Sequence, residues 1–269
     1  MVDFKFKEKY NCADLVDIME LLRKPGGCPW DAEQTHQSIK KSLIEETYEV
    51  VEAINKDDKT LLQEELGDLL MQVVFHAQME REEGVFDFDD VADGVCKKLI
   101  IRHPHVFGDV TAETVDDVLT NWDAIKMKTK GQKTATDSMM SVPRELPALM
   151  RAAKLQKKAA DVGFDWDNVQ GAVDKLYEEI GELKEAIAEG DKSHIDEEFG
   201  DLLFSAVNVS RFVKVDAEES LTSASDKFLK RFIEVERKAK ERAIDMTEVG
   251  IDVLDELWDE VKAEQKNCI

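Results

Sequence analysis

The sequence predicts an all-α protein with two tandem copies of one helical domain. Its 269 residues include only 5 prolines and 13 glycines, against 43% hydrophobic and 35% charged residues, so few breaks between helices are expected. Apolar residues recur at three- and four-residue spacing, the periodicity of a helix with one buried face. The chain also repeats itself, because its acidic motifs return in the same order at a constant offset.

Two acidic motifs carry the repeat. In the first copy, Glu45 to Glu49 (EETYE) precedes Glu65 to Asp68 (ELGD). In the second copy, Glu178 to Glu182 (EEIGE) precedes Glu198 to Asp201 (EFGD), and each acid lies 133 positions after its counterpart (178 minus 45). With 59 acidic residues in the chain, five given positions would all be acidic by chance in roughly 1 case in 2,000. We therefore interpret the pattern as a true duplication.

A polar stretch without periodicity separates the copies and is punctuated by Pro143 and Pro147. We therefore expect an N-terminal domain at 1–128, a linker at 129–147 and a C-terminal domain at 148–269.

Each domain is expected to contain a hairpin of two amphipathic helices. In the second copy, the turn residues Gly190 to Ser193 separate two periodic segments, and Asn55 to Thr60 does the same in the first. The apolar stripe of the first helix consists of Val173, Leu176, Ile180, Leu183 and Ile187. The stripe of the second consists of Ile195, Phe199, Leu202, Leu203, Ala206, Phe212 and Val213.

Helical projection places acidic side chains beside these stripes. Glu179 and Glu182 flank the stripe of their helix, whereas Glu178 lies almost opposite it. Gly67 and Gly200, inside the second helix of each hairpin, predict a close approach there, and tight helix packing and room for a ligand both stay open as its reason. The polar band of the second helix is formed by His194, Glu198, Asp201, Ser205 and Asn208.

Two such bands that face each other predict a metal site. Several ionised carboxylates in one groove need a cation, since like charges raise one another's pKa. Oxygen ligands without cysteine or paired histidine favour Mg²⁺, with Mn²⁺ as a substitute, and these ions often bridge to substrate phosphates. The predicted ligands are Glu179, Glu182, Glu198 and Asp201, with a possible second site at Glu46, Glu49, Glu65 and Asp68.

This constellation resembles the MazG family of nucleoside triphosphate pyrophosphohydrolases in its two-domain bacterial form. The resemblance extends to Gly27–Asp31 (GCPWD), His103–Phe107 (HPHVF) and Val162–Trp166 (VGFDW). It implies Mg²⁺-dependent hydrolysis of ribo- and deoxyribonucleoside triphosphates to the monophosphate and pyrophosphate, as a house-cleaning of the nucleotide pool. It also implies helical bundles that are completed in a homodimer.

The resemblance assigns roles to residues at matching positions. The catalytic set is the four predicted metal ligands together with Glu178. The general base stays open between Glu178 and Glu197, and Trp258 either stacks on a base or packs in the core. Lys227 and Arg231, one turn apart, are expected to contact phosphates. The full nucleotide-contacting set is Lys175, Leu176, Tyr177, Glu178, Glu179, His194, Ile195, Asp196, Glu197, Asp201, Asn208, Lys227, Phe228, Leu229, Lys230, Arg231 and Trp258.

The second copy is predicted to be the catalytic one. It carries Lys175, His194 and Asn208 where the first copy has Ser42, Leu61 and Phe75. The first copy therefore keeps the acids without their polar partners, and we expect it to be weak or inactive. The resemblance implies the same, since two-domain members are thought to work through the C-terminal copy.

Charge and composition limit the kinds of partner and the cellular location that the sequence predicts. The net charge of -23 argues against a nucleic-acid polymer or an anionic membrane as partner. No window holds 18 consecutive apolar residues, the N-terminus lacks the apolar core of a signal peptide, and the four cysteines form no C-x-x-C pair. These features predict a cytoplasmic protein without a membrane span.

Two other functional classes stay open on sequence. A di-iron carboxylate oxidoreductase needs Glu-x-x-His pairs on two helices, and Glu33-x-x-His36 has Val169 where a second histidine would be required. A non-enzymatic scaffold for a basic partner predicts acids scattered around the helices. The preferred base and sugar, damaged nucleotides and (p)ppGpp also stay open as aspects of the substrate.

Overall fold

The computed structural model describes residues 4–110, 114, 118, 125 and 134–267, which form twelve helices and no strand. The predicted all-α class is confirmed. The chain divides into unit 1 (Met1–Lys126) and unit 2 (Met127–Ile269). Residues 129–133 of the predicted linker lie outside the described residues. None of the described helices is long and apolar enough to cross a membrane.

Unit 1 is built around a hairpin of two long helices. The chain leaves the first long helix through Lys56 and Asp57 and enters the second at Asp58, whose side chain accepts hydrogen bonds from the Thr60 and Leu61 backbone. The described helices of unit 1 are α1 (Cys12–Arg23), α2 (Pro29–Glu33), α3 (His36–Asn55), α4 (Lys59–Glu82), α5 (Phe88–Arg102) and α6 (Pro104–Phe107).

Unit 2 repeats the hairpin, and its described residues also form a second pair of long helices. Its described helices are α7 (Ala135–Met140), α8 (Ala148–Ala160), α9 (Val169–Glu189), α10 (Lys192–Phe212), α11 (Ala217–Glu241) and α12 (Ile251–Asn267). Helix α9 packs on α10, α11 packs on α12, and α8 contacts both α10 and α11.

The turn between α9 and α10 has the chemistry that the sequence predicts. Gly190 ends α9 with a φ of 77°, a left-handed conformation that glycine adopts without steric cost. Asp191 then caps α10 by accepting a hydrogen bond from the Ser193 backbone at 2.9 Å. The predicted hairpin of the second copy is therefore confirmed.

Each unit has its own buried cluster. In unit 1, Met19 of α1 and Ile39 of α3 pack with Val74, Phe75 and Met79 of α4. In unit 2, the cluster joins α11 to α12 through Val235, Ala239, Leu257 and Val261, with Trp258 packed at its side.

The hairpin of unit 2 keeps much of its apolar stripe on the surface of the chain. Phe199 is 51% exposed, and Ile187 and Leu203 are exposed as well. Large apolar side chains left exposed on one helical hairpin are typical of a surface that another protein covers.

A histidine pair links α3 to α4 in unit 1. His36 Nδ1 lies 2.7 Å from His76 Nδ1, and His36 Nε2 lies 2.8 Å from Glu80 Oε1. Burial lowers the pKa of His76 below its ordinary value, and the charge of a protonated His36 lowers it further. At the corresponding positions, 133 residues later, unit 2 has Val169 and Val209.

This pair makes unit 1 sensitive to acid. Because folding lowers the pKa of His76, the unfolded chain binds the proton more readily, and stability falls as the pH drops below about 6.5. We expect the urea midpoint of wild type to fall between pH 7.5 and 5.5, and His76→Val to show a smaller fall. An equal fall in both proteins would show that His76 does not contribute.

Candidate active site

Three of the four carboxylates predicted in unit 2 converge. Glu179, Glu182 and Glu198 each place one oxygen within 4.8 Å of the other two, and we call this set the unit 2 triad. Glu179 is only 4% exposed, whereas the Glu178 side chain is 58% exposed, which agrees with the helical projection. Asp201 lies one turn beyond Glu198, is exposed and is not part of the triad.

Lys175 compensates the negative charge on α9. Its Nζ lies 2.7 Å from Glu178 Oε1, 2.8 Å from Glu179 Oε1 and 3.9 Å from Glu182 Oε2. The hydrogen bonds to Glu178 and Glu179 raise the pKa of Lys175, so its ammonium stays charged. Burial raises the pKa of Glu182, with an added contribution from Glu179 that Lys175 opposes.

His194 holds the remaining member of the triad from the first turn of α10. Its Nε2 lies 3.2 Å from Glu198 Oε1, and its Nδ1 lies 3.0 Å from Glu189 Oε2. The hydrogen bond with Glu189 and the charge of Glu198 raise the pKa of His194. The imidazole therefore pairs directly with the Glu198 carboxylate of the triad.

Unit 1 repeats the acidic set without these cations. Glu46, Glu49 and Glu65 also lie within 4.8 Å of one another, and we call them the unit 1 triad. Desolvation by burial raises the pKa of Glu46, and the charge of Asp68 raises it further. Burial likewise raises the pKa of Glu65. His36, considered above for a di-iron centre, contacts His76 and Glu80 instead of this triad.

The triads fit a hard divalent cation. Each offers carboxylate oxygens from two facing helices and no sulfur or imidazole donor, which is the donor set preferred by Mg²⁺ and Mn²⁺. The buried carboxylate of Glu179 also needs a positively charged partner. Within this chain, the ammonium group of Lys175 is that partner.

Tight helix packing does not explain the two glycines inside the hairpins. A Cβ at Gly67 or Gly200 would meet no atom of the described residues within 4 Å beyond its own stretch of helix, so of the two alternatives room for a ligand stays a prediction.

The predicted phosphate contacts lie on α11, and Trp258 lies on α12. Arg231 Nε donates to Gln265 Oε1 at 3.0 Å, and its guanidinium carbon is 5.8 Å from the centre of the Trp258 ring. Trp258 is half-buried and lies 5.2 Å from the Phe228 ring. In the part of the chain that the structure describes, neither Lys227 nor Arg231 forms an ion pair or hydrogen bond with the unit 2 triad.

The other residues predicted to contact the nucleotide differ in their exposure to solvent. Leu176 and Ile195 are half-buried, and the remaining residues are exposed: Tyr177, Asp196, Glu197, Leu229 and Lys230.

Sequence reasoning named Asn208 but missed its surroundings. Arg211 donates to Asn208 Oδ1 at 2.9 Å and to Asp165 Oδ2 at 2.8 Å, and the hydrogen bond from Arg211 lowers the pKa of Asp165. The signal was available, since Arg211 follows Asn208 by three residues on the same helix. A cavity of about 520 Å³ opens beside these residues.

Comparison with known families identifies the family of the chain. The model of the MazG nucleotide pyrophosphohydrolase domain matches the chain twice, at residues 34–107 and 168–237, and each match contains one triad. The chain belongs to the MazG family. The resemblance drawn from the acidic motifs is thereby confirmed, as is the presence of two MazG domains in tandem.

Three relatives are similar over 93% of this chain. A nucleoside triphosphate pyrophosphohydrolase of Escherichia coli K12 is 47% identical over 256 residues, which cover 93% of this chain and 97% of that protein. A Thermotoga maritima protein named nucleoside triphosphate pyrophosphohydrolase/pyrophosphatase MazG is 46% identical over 249 residues, covering 93% and 94%. The Bacillus subtilis protein YabN is 47% identical over 252 residues, but the match covers only 51% of YabN.

Proposed function

We propose that this MazG-family chain hydrolyses nucleoside triphosphates to the nucleoside monophosphate and pyrophosphate at the unit 2 triad, with Mg²⁺ as cofactor. The observation that carries the proposal is the convergence of Glu179, Glu182 and Glu198 from two facing helices. The names of the Escherichia coli and Thermotoga relatives support the reaction class. Both ribo- and deoxyribonucleotides are included.

In this proposal the triad holds the cation, and Asp201 joins it from the next turn of α10. When held by these carboxylates, Mg²⁺, or Mn²⁺ in its place, would supply positive charge that offsets the triphosphate and Lewis-acid chemistry at the α-phosphorus and at water. His194 keeps the Glu198 carboxylate in place through its Nε2.

Side chains around the triad would bind the triphosphate. The Lys175 ammonium, which pairs with Glu178 and Glu179 in the free chain, would turn to a phosphate oxygen when the cation takes its place. Lys227 and Arg231 supply further positive charge, and the exposed carboxylates of Glu178 and Glu197 are the candidates for the general base.

The proposal assigns turnover to unit 2 and a possible second metal site to unit 1. Unit 1 has Ser42 and Leu61 where unit 2 has Lys175 and His194, so its triad lacks both cationic partners. With Asp68 beside it, the unit 1 triad retains the acids that a cation needs.

We propose a homodimer in the cytoplasm as the working form. The exposed apolar side chains of Phe199, Ile187 and Leu203 would be covered by a second copy. Light scattering is expected to give twice the chain mass of 30.5 kDa. The excess of negative charge favours free nucleotides over a nucleic-acid polymer as the partner.

Metal removal tests the cofactor. Treatment with EDTA is expected to abolish pyrophosphate release, since three carboxylates would then face a triphosphate without a neutralising cation. Added Mg²⁺ should restore the activity, and Mn²⁺ should restore part of it. Full turnover in a protein shown to be metal-free would contradict this part of the proposal.

A further inference from the structure

The contact between His36 and His76 in unit 1 has no role in the proposed function. Each imidazole comes from one helix of the α3–α4 hairpin, and their Nδ1 atoms are 2.7 Å apart, with ring planes 3° from parallel. Glu80, one turn beyond His76 on α4, places Oε1 2.8 Å from His36 Nε2. We propose that this His36–His76–Glu80 cluster binds one divalent transition-metal ion, of the class of Zn²⁺ and Co²⁺, between the two Nδ1 atoms.

Glu80 determines which nitrogen of His36 is free to bind a metal. An ionised carboxylate only accepts hydrogen bonds, so Nε2 of a neutral His36 carries the proton and Nδ1 carries the lone pair. That lone pair faces His76 Nδ1. A carboxylate on the other ring nitrogen is the partner that metal-binding histidines have in proteins, because it fixes the tautomer and makes the ligating nitrogen more basic.

The hairpin does not need these polar side chains in order to fold. The Nε2 atom of His76 is buried and has no hydrogen-bond partner among the described residues, which costs stability. Unit 2 forms the same hairpin with valine at all three corresponding positions, 133 residues later: Val169, Val209 and Val213. A ligand that the three side chains share accounts for their joint presence in unit 1.

The spacing of the two nitrogens is close to that of a metal site. Two Zn²⁺–N bonds of about 2.0–2.1 Å at a tetrahedral angle hold their nitrogens about 3.3 Å apart. The Nδ1 atoms of His36 and His76 therefore have to separate by about 0.6 Å (3.3 minus 2.7), which small side-chain rotations provide. The His36 side chain is 42% exposed, so an ion can enter from solvent and keep water as its remaining ligands.

The cluster is distinct from the unit 1 triad in place and in chemistry. Glu46 follows His36 by ten residues on α3, and this separates the two sets by about 15 Å along the helix. On α4, Glu65 precedes His76 by eleven residues, which gives a similar separation. Imidazole nitrogen suits Zn²⁺, whereas Mg²⁺ takes oxygen ligands, so the two sets select different ions.

A metal ion in the cluster would join the first turn of α3 to the last turns of α4. It would bind the folded hairpin and not the unfolded chain, in which the two histidines are forty residues apart. The ion would therefore stabilise unit 1 without taking part in the reaction proposed for unit 2.

The test titrates the metal-free full-length chain with Co²⁺ and with Zn²⁺, in saturating Mg²⁺ that occupies the carboxylate sites. Visible absorption bands report Co²⁺ bound to imidazole nitrogen, and calorimetry gives the Kd of Zn²⁺. His36→Val and His76→Val copy unit 2, and His76→Gln keeps the test valid if valine disturbs the packing. Glu80→Gln tests the outer carboxylate, and Glu49→Gln in the unit 1 triad is the matched control.

We expect wild type to bind one Zn²⁺ per chain and to show the Co²⁺ bands. Each histidine replacement should raise the Kd of Zn²⁺ at least about a hundredfold, and Glu80→Gln should raise it about tenfold. Glu49→Gln should leave this Kd unchanged. Wild type without Co²⁺ bands would overturn the inference, as would bands that persist in all the histidine variants or a loss in Glu49→Gln equal to theirs.

Discussion

Glu182→Gln is expected to lower pyrophosphate release by about 10³-fold or more, because a neutral amide replaces one of the three carboxylates proposed to hold the cation. A cation at such a site contributes several kcal/mol of transition-state stabilisation, and a loss of about 4 kcal/mol corresponds to about 10³-fold in rate. Glu182 is the member of the triad on α9 that Lys175 holds least closely, at 3.9 Å. Its replacement should therefore disturb the local packing less than replacement of the buried Glu179.

The duplication supplies a matched control for this variant. Glu49 occupies the corresponding position of the unit 1 triad, and Glu49→Gln is expected to retain most of the turnover. The two variants are compared by their steady-state rates of pyrophosphate release at saturating Mg²⁺. If Glu49→Gln lost the activity and Glu182→Gln kept it, unit 1 would be the catalytic half.

Leu257→Ala is expected to produce the largest loss of stability among the substitutions considered. Leu257 is 1% exposed and packs against Val235, Ala239 and Val261 between α11 and α12. Truncation of a buried leucine to alanine costs about 2–5 kcal/mol, because the lost transfer free energy adds to the cost of the cavity.

Leu221→Ala on α11 is the control for Leu257→Ala. Leu221 is 56% exposed, so its truncation should change the free energy of unfolding by less than about 0.5 kcal/mol. Urea unfolding followed by circular dichroism measures both variants. Equal effects would mean that the α11–α12 cluster does not stabilise unit 2 as its burial indicates.

Local rules were sufficient for the hairpins and for the direction of the α9 side chains. The turn at Gly190 and Asp191, the buried Glu179 and the exposed Glu178 all follow from helical periodicity and capping, which depend on neighbours in sequence. The duplication of the acidic motifs also indicated that the acids of the two hairpin helices face one groove, which is a contact between segments distant in sequence.

Features that depend on packing between distant segments were not predictable in this way. Asp201 lies one turn beyond Glu198 and outside the triad as the free chain is folded, a distance along the axis of α10 that a projection down the helix does not contain, so its role as a ligand stays a prediction. No described group outside its own helix lies within 4 Å of a Cβ at Gly200, whereas Gly171 lies against the Trp166 ring, a contact that depends on the path of the loop before α9.

The most direct measurement is the identity of the products formed from ATP by the purified chain with Mg²⁺. We predict AMP and pyrophosphate in equal amounts, with turnover lost in Glu182→Gln. ADP and inorganic phosphate, or no turnover of any nucleoside triphosphate, would contradict the proposed function.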